Sequence, residues 1–157
     1  MKNKPPLIAE YLNLDQQLQS NGFDLTLKQV SVLQDSGCIT KRNKERRVCH
    51  LSPLNFDRLG YLDLPPDIYS ITFNEVVNLP KNVMALATPR SSLLRCGVTV
   101  NTAVWDAGYN GRSESLLVVY NPRGFRLQQD ARIIQLIFFS LSNTTEGYHG
   151  VYQGENI

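Results

Sequence analysis

Turn chemistry recurs along this chain and leaves room only for short elements. Asn21-Gly22, Leu64-Pro65-Pro66, Leu79-Pro80-Lys81-Asn82 and Asn121-Pro122-Arg123-Gly124 each break the backbone. Between them lie β-rich apolar runs at residues 23–32, 68–77, 83–87, 98–104, 116–120 and 125–127. Residues 133–141 are almost continuously apolar and read as a strand buried on both faces. Short strands at this turn spacing predict an all-β sandwich or barrel, specifically a distorted antiparallel jelly roll. Residues 7–19 carry Leu7, Ile8, Tyr11, Leu12, Leu14 and Leu18 at a loose helical spacing, which predicts a short N-terminal helix.

A chain of 157 residues suits one domain with a real core, and 42% hydrophobic with 19% charged residues is globular. No apolar run approaches the roughly 18 residues of a spanning helix. The N-terminal stretch holds Lys2 and Lys4 but no apolar segment of signal-peptide length, so a cytoplasmic protein without a membrane partner is expected. A net charge of +2 is too small to argue for nucleic acid. The basic run Lys41, Arg42, Lys44, Arg46 and Arg47 has no interleaved aromatics and reads as a solvated hairpin or loop. Cys38, Cys49 and Cys96 stand at unrelated spacings, without a disulfide or zinc pattern, and read as small buried filler. With only His50 and His149, histidine-dependent catalysis is a poor fit.

Four segments combine polar groups with tight-backbone signals. Asp24 follows the Asn21-Gly22 turn and is either a turn former or a site carboxylate. Thr88-Pro89-Arg90-Ser91-Ser92-Leu93-Leu94-Arg95 offers arginine forks and hydroxyls for an anion, or else a serine-capped turn of helix. Trp105-Asp106-Ala107-Gly108-Tyr109-Asn110-Gly111 places a carboxylate after an apolar strand. It is a candidate general base beside a sugar-packing tyrosine, or a plain hairpin turn. Gln135 interrupts the apolar run 133–141, and a buried amide there needs a partner or a ligand.

Taken together, the Pro-Arg-Ser-Ser-Leu and Asp-x-Gly-Tyr-x-Gly motifs at this separation resemble the dUTPase and dCTP deaminase superfamily. The archaeal-type dUTPase branch is the most similar, and the resemblance runs from about Gly22 to Gly154. It implies a homotrimer of β-clip-like jelly rolls (residues 1–141), with active sites between subunits and a flexible C-terminal arm (residues 142–157) closing over the nucleotide. The implied reaction is hydrolysis of dUTP to dUMP and pyrophosphate. Asp106 would deprotonate the water that attacks the α-phosphorus. Arg90, Ser91, Ser92, Arg95 and Gln135 would hold the triphosphate. Asn101, Thr102 and Ala103 would read the pyrimidine edge, and Tyr109 would lie under the deoxyribose. Asp24 would support the site or the metal's water shell. Mg²⁺ is implied on the phosphates through oxygen ligands and water, with no direct protein ligand. On this reading Asp106 faces a cleft bounded by Arg90 and Gln135.

The deaminases of the same superfamily carry a proton-shuttling glutamate on the strand after the Asp-x-Gly motif. Here counting back from Asn121 gives Val118, and counting forward from Asp106 gives Leu116. Neither moves a proton. The nearby acid, Glu114, reads as a strand-start residue paired with Arg112. A dCTP deaminase, alone or coupled to dUTP hydrolysis, is therefore the alternative, and a non-catalytic nucleotide-binding module the second one. The tail also departs from the pattern. Val151 stands where the deaminase-like arm has Lys, and the Arg and Phe of common dUTPase arms do not follow Gly150. That leaves Tyr148, Tyr152 and Gln153 to contact the nucleotide.

Overall fold

The computed structural model describes residues 5–157, so residues 1–4, the first part of the stretch read for a leader, lie outside it. Its strand pairs are antiparallel throughout. The main sheet runs, edge to edge, through Val83–Pro89, Arg132–Ser140, Gly22–Leu33, Ile68–Phe73, Glu114–Val119 and Val98–Asn101, with two short strands paired to Gly22–Leu33. A small sheet joins Ile8–Ala9, Val76–Asn78 and Asn110–Gly111, and Tyr61–Leu64 pairs with Phe125–Gln128. The result is the jelly roll expected from the turn spacing.

Gly22–Leu33 is the organising strand, because it is long enough to join two halves of the sheet. Its first half pairs with Arg132–Ser140 and its second half with Ile68–Phe73. Phe73, Leu25, Leu27, Ile71, Leu117, Ile133, Ile134 and Leu136 are fully buried between the layers. Side chains of this kind contribute roughly 1.5–3 kcal/mol each on burial.

Three sequence expectations change. The helix over residues 7–19 shrinks to one turn, Leu14–Gln17, capped by the Asn13 side chain. Ile8 enters the core from a short strand and Tyr11 meets Phe23, but Leu12, Leu14 and Leu18 stay exposed, so no helical face is buried. The strand after Asp130 is buried only at its start, because Phe139 is 44% exposed near the sheet's end. The cysteines are not buried filler: Cys38 and Cys96 are exposed and Cys49 is partly so, all three as free thiols.

Candidate active site

Two clusters of candidate residues form, at separate places on the chain. The first lies across three adjacent strands. Gln135 sits opposite Thr88 on one side and opposite Asp24 on the other, so the three side chains share a face. Asp24 is buried, and its Oδ2 receives Arg90 Nε at 3.2 Å and Arg132 NH1 at 3.4 Å. Burial pushes the Asp24 carboxyl up against the lowering pull of the two guanidiniums. Asp24 is thus a strand residue that aims arginines, not a turn former.

The chain then turns from Arg90 into the short helix Ser91–Arg95, where Arg90 is the N-cap without a side-chain capping bond. Ser91 and Ser92 are exposed and neither hydroxyl is consumed as a cap, while Arg95 projects from the last turn. Arginine guanidiniums, serine hydroxyls and a half-buried amide are donors of the kind that hold anionic oxygens.

The second cluster is the tight turn at residues 106–109, closed by Tyr109 N–H donating to the Asp106 carbonyl at 3.0 Å. Trp105 locks its start, exchanging backbone bonds with Ala85 at 2.9 and 3.0 Å and donating Nε1–H to Ser113 at 3.1 Å. The Asp106 side chain is exposed and borders two cavities. The larger, about 680 Å³, is also lined by Ala103, Tyr109, Glu114, Tyr148 and Tyr152. Asn101 and Thr102 lead into it from the end of Val98–Asn101.

The tail, residues 142–157, has neither helix nor strand and lies over this turn. Tyr148 N–H donates to Ala107 O at 2.8 Å, and Gly154 N–H to Asn110 O at 2.8 Å. Gln153 accepts from Asn110 N–H at 3.1 Å and donates to Gly108 O at 3.0 Å. Tyr109 is buried against Tyr148, ring centroids 5.8 Å apart, and donates its hydroxyl to Glu155 at 2.7 Å. Burial first, then the Glu155 carboxylate, hold that phenol un-ionised far above its ordinary range. Arg112 completes the clasp: its Nε–H reaches Asn156 O at 3.1 Å and its NH2 pairs with Glu10 at 2.6 Å. The expected partner of Arg112 was Glu114. Glu114 does start its strand, but it receives Asn156 instead, at 3.4 Å.

Within one chain Asp106 does not face a cleft bounded by Arg90 and Gln135; neither residue lines its cavities. Arg90 lies five positions beyond Ala85, the residue bridged to Trp105, which is roughly 17 Å at strand spacing. Sequence reasoning also missed Arg132, Glu155 and the buried Glu75, whose partners lie far away in the chain.

The antiparallel jelly roll thus carries arginines and serines beyond the end of its edge strand, and an exposed carboxylate beside a cavity that the tail helps to line. The chain belongs to the dCTP deaminase-like family, whose model matches residues 3–141. A "probable deoxyuridine 5'-triphosphate nucleotidohydrolase" of Methanosarcina mazei is 52% identical, over 99% of this chain and 92% of that protein. The deoxyuridine 5'-triphosphate nucleotidohydrolase of Methanocaldococcus jannaschii is 33% identical over 89% of each. Among solved structures, the 2'-deoxycytidine 5'-triphosphate deaminase of Agrobacterium tumefaciens shares the fold, with a TM-score of 0.61 at 23% identity. The match covers 84% of this chain and 42% of that one.

Proposed function

We propose that this chain hydrolyses dUTP to dUMP and pyrophosphate, with Asp106 as the general base for the attacking water. The Asp106 carboxylate carries the reading: it is exposed, accepts no hydrogen bond from the described residues, and stands at the mouth of a nucleotide-sized cavity. Two relatives named for this hydrolysis, at 52% and 33% identity, support it.

The chemistry follows from charge and position. The triphosphate needs neutralisation, which Arg90, Arg95, the serine hydroxyls and Gln135 supply. Because they stand far from Asp106 in one copy, the cradle serving a given Asp106 comes from a neighbour in a homotrimer. Mg²⁺ adds charge neutralisation and orients the phosphates when bound. The ion is carried on phosphate oxygens and water. Asp24, already enclosed by two guanidiniums, serves the arginines rather than the metal's water shell. The backbone at Asn101, Thr102 and Ala103 reads the pyrimidine. For the sugar to pack on Tyr109, the Tyr109–Glu155 bond must open and the tail, with Tyr148, Tyr152 and Gln153, must re-close over the nucleotide. The three free thiols suit a reducing compartment, the cytoplasm.

One observation favours a second reading: Glu114 lines the same cavity as Asp106, where a deaminase would need a proton carrier. Leu116 and Val118 do not offer one. Pyrophosphate and ammonia measured separately over a deoxynucleotide panel separate the two. Asp106→Asn folds normally and releases pyrophosphate from dUTP about 100-fold more slowly or worse. Normal turnover in that variant ends the mechanism. Ammonia from dCTP that disappears on Glu114→Gln establishes the deaminase instead.

A further inference from the structure

We propose that Arg47, on the basic hairpin, contacts the phosphates of the bound nucleotide, and that this hairpin and the tail together form the roof of the site. The proposal rests on the reading of the chain as a dUTP hydrolase and adds a residue that lies outside the motifs carrying that reading.

The charge balance of the cavity is the first argument. Its lining holds three carboxylates, Asp106, Glu114 and Glu155, and one cation, Arg47. Three acids repel an entering polyanion, and a cation on their own wall offsets that repulsion in addition to the arginines that a neighbouring copy brings. Residues 133–157 hold no Lys or Arg to add to it.

Availability is the second. Arg47 is exposed and forms no ion pair among the described residues. The hairpin acid Asp35 is engaged by His50, through its backbone N–H at 2.8 Å and its Nδ1 at 2.7 Å, and feels the Arg47 charge without forming an ion pair with it. The Arg47 backbone, by contrast, is held. Arg47 N–H donates to Cys38 O at 2.8 Å, and Cys38 N–H donates to Arg47 O at 2.7 Å. A fixed backbone with a free guanidinium is a suitable mount for an anion contact.

The third argument joins hairpin to tail. The Arg46 guanidinium lies 5.1 Å from the centroid of the Tyr152 ring, so the two segments approach as one cover. Ser115 lines the same cavity, and its buried hydroxyl has no hydrogen-bond partner among the described residues.

Calorimetric titration of the full chain with the imido analogue of dUTP, and separately with dUMP, tests this. Arg47→Ala weakens the triphosphate analogue about tenfold or more and leaves dUMP within about twofold. Arg47→Lys recovers part of the loss. Arg42→Ala, whose guanidinium in the wild type rests on Glu45 at 3.1 Å, behaves as wild type. An unchanged analogue affinity in Arg47→Ala overturns the proposal, as does an equal loss for both ligands. A wild-type chain that binds the analogue but releases no pyrophosphate from dUTP sinks the hydrolase reading and leaves the Arg47 comparison standing. A wild-type chain that binds no analogue sinks both.

Discussion

Thr26 gives both of its donors to Glu75: its backbone N–H meets Oε2 at 2.8 Å, and its hydroxyl meets Oε1 at 2.6 Å. Gln17 adds a third bond to Glu75 at 2.6 Å and a further one to the Asp24 carbonyl at 2.9 Å. A fully buried carboxylate therefore ties the N-terminal turn of helix to the strand that carries Asp24. Buried polar groups of this kind are costly when half-satisfied and rigidifying when complete.

Replacing Glu75 by Gln puts an amide NH₂ against a donor, so the variant is destabilised by about 1–3 kcal/mol. The pH dependence has a definite sign. Burial, outweighing the bonds from Thr26 and Gln17, raises the Glu75 carboxyl above its ordinary 4.5. The folded protein then keeps this proton more tightly than the unfolded chain. The resulting stabilisation is complete below the ordinary value and is lost as pH rises through the folded one. Urea unfolding across this range should show the gap between wild type and Glu75→Gln widest on the acid side. A gap that widens as pH rises contradicts the assignment.

Asp24 links this network to Arg90 and Arg132. Asp24→Ala leaves Arg90 and Arg132 without their shared acid, and both are about a third exposed, so water relieves part of the loss. A cost of about 1–3 kcal/mol is expected, with a larger KM for dUTP because Arg90 is no longer aimed. Since burial raises the Asp24 carboxyl above its ordinary 3.8, the wild-type KM rises as pH falls toward that region. Asp24→Asn shows the raised KM at every pH. A KM profile identical in the two proteins refutes the role.

Gly108 fixes where the tail lies. Its φ is +86°, and an added Cβ would stand 2.8 Å from Gly147 Cα and 2.9 Å from Tyr148 N. Gly108→Ala is therefore strained at the turn and also pushes the tail away. Amide exchange at Tyr148 and Gly154, whose N–H groups bond to this turn, accelerates in the variant, while exchange at Leu25 and Leu136 in the core stays slow. Unchanged protection at Tyr148 and Gly154 counts against the tail contact.

Most of the framework was legible from local signals. Turn residues placed most strand ends within a residue or two, but the run 68–77 splits into Ile68–Phe73 and Val76–Asn78 and the run from 98 stops at Asn101. The motif at Thr88–Arg95 holds a turn of helix, capped by Arg90 rather than by serine. What stayed hidden depends on partners distant in sequence. Glu75 sits inside an apolar run, and its partners Gln17 and Thr26 lie 58 and 49 positions away. Arg132 reaches Asp24 across 108 positions, because the closing strand returns beside the opening one. The 7–19 spacing misled for the opposite reason: only Ile8 reaches the core, from a strand, and Leu12, Leu14 and Leu18 have no apolar surface of the chain to cover them.

Under the proposed sharing of each site between neighbouring copies, the separation of Arg90 from the cavities beside Asp106 within one copy has a genetic consequence. A copy crippled at position 106 still offers a sound cradle, and a copy crippled at position 90 still offers a sound base. Refolded together in equal amounts, two dead proteins should regain about a quarter of the normal catalytic centres, each drawing its intact half from a different parent.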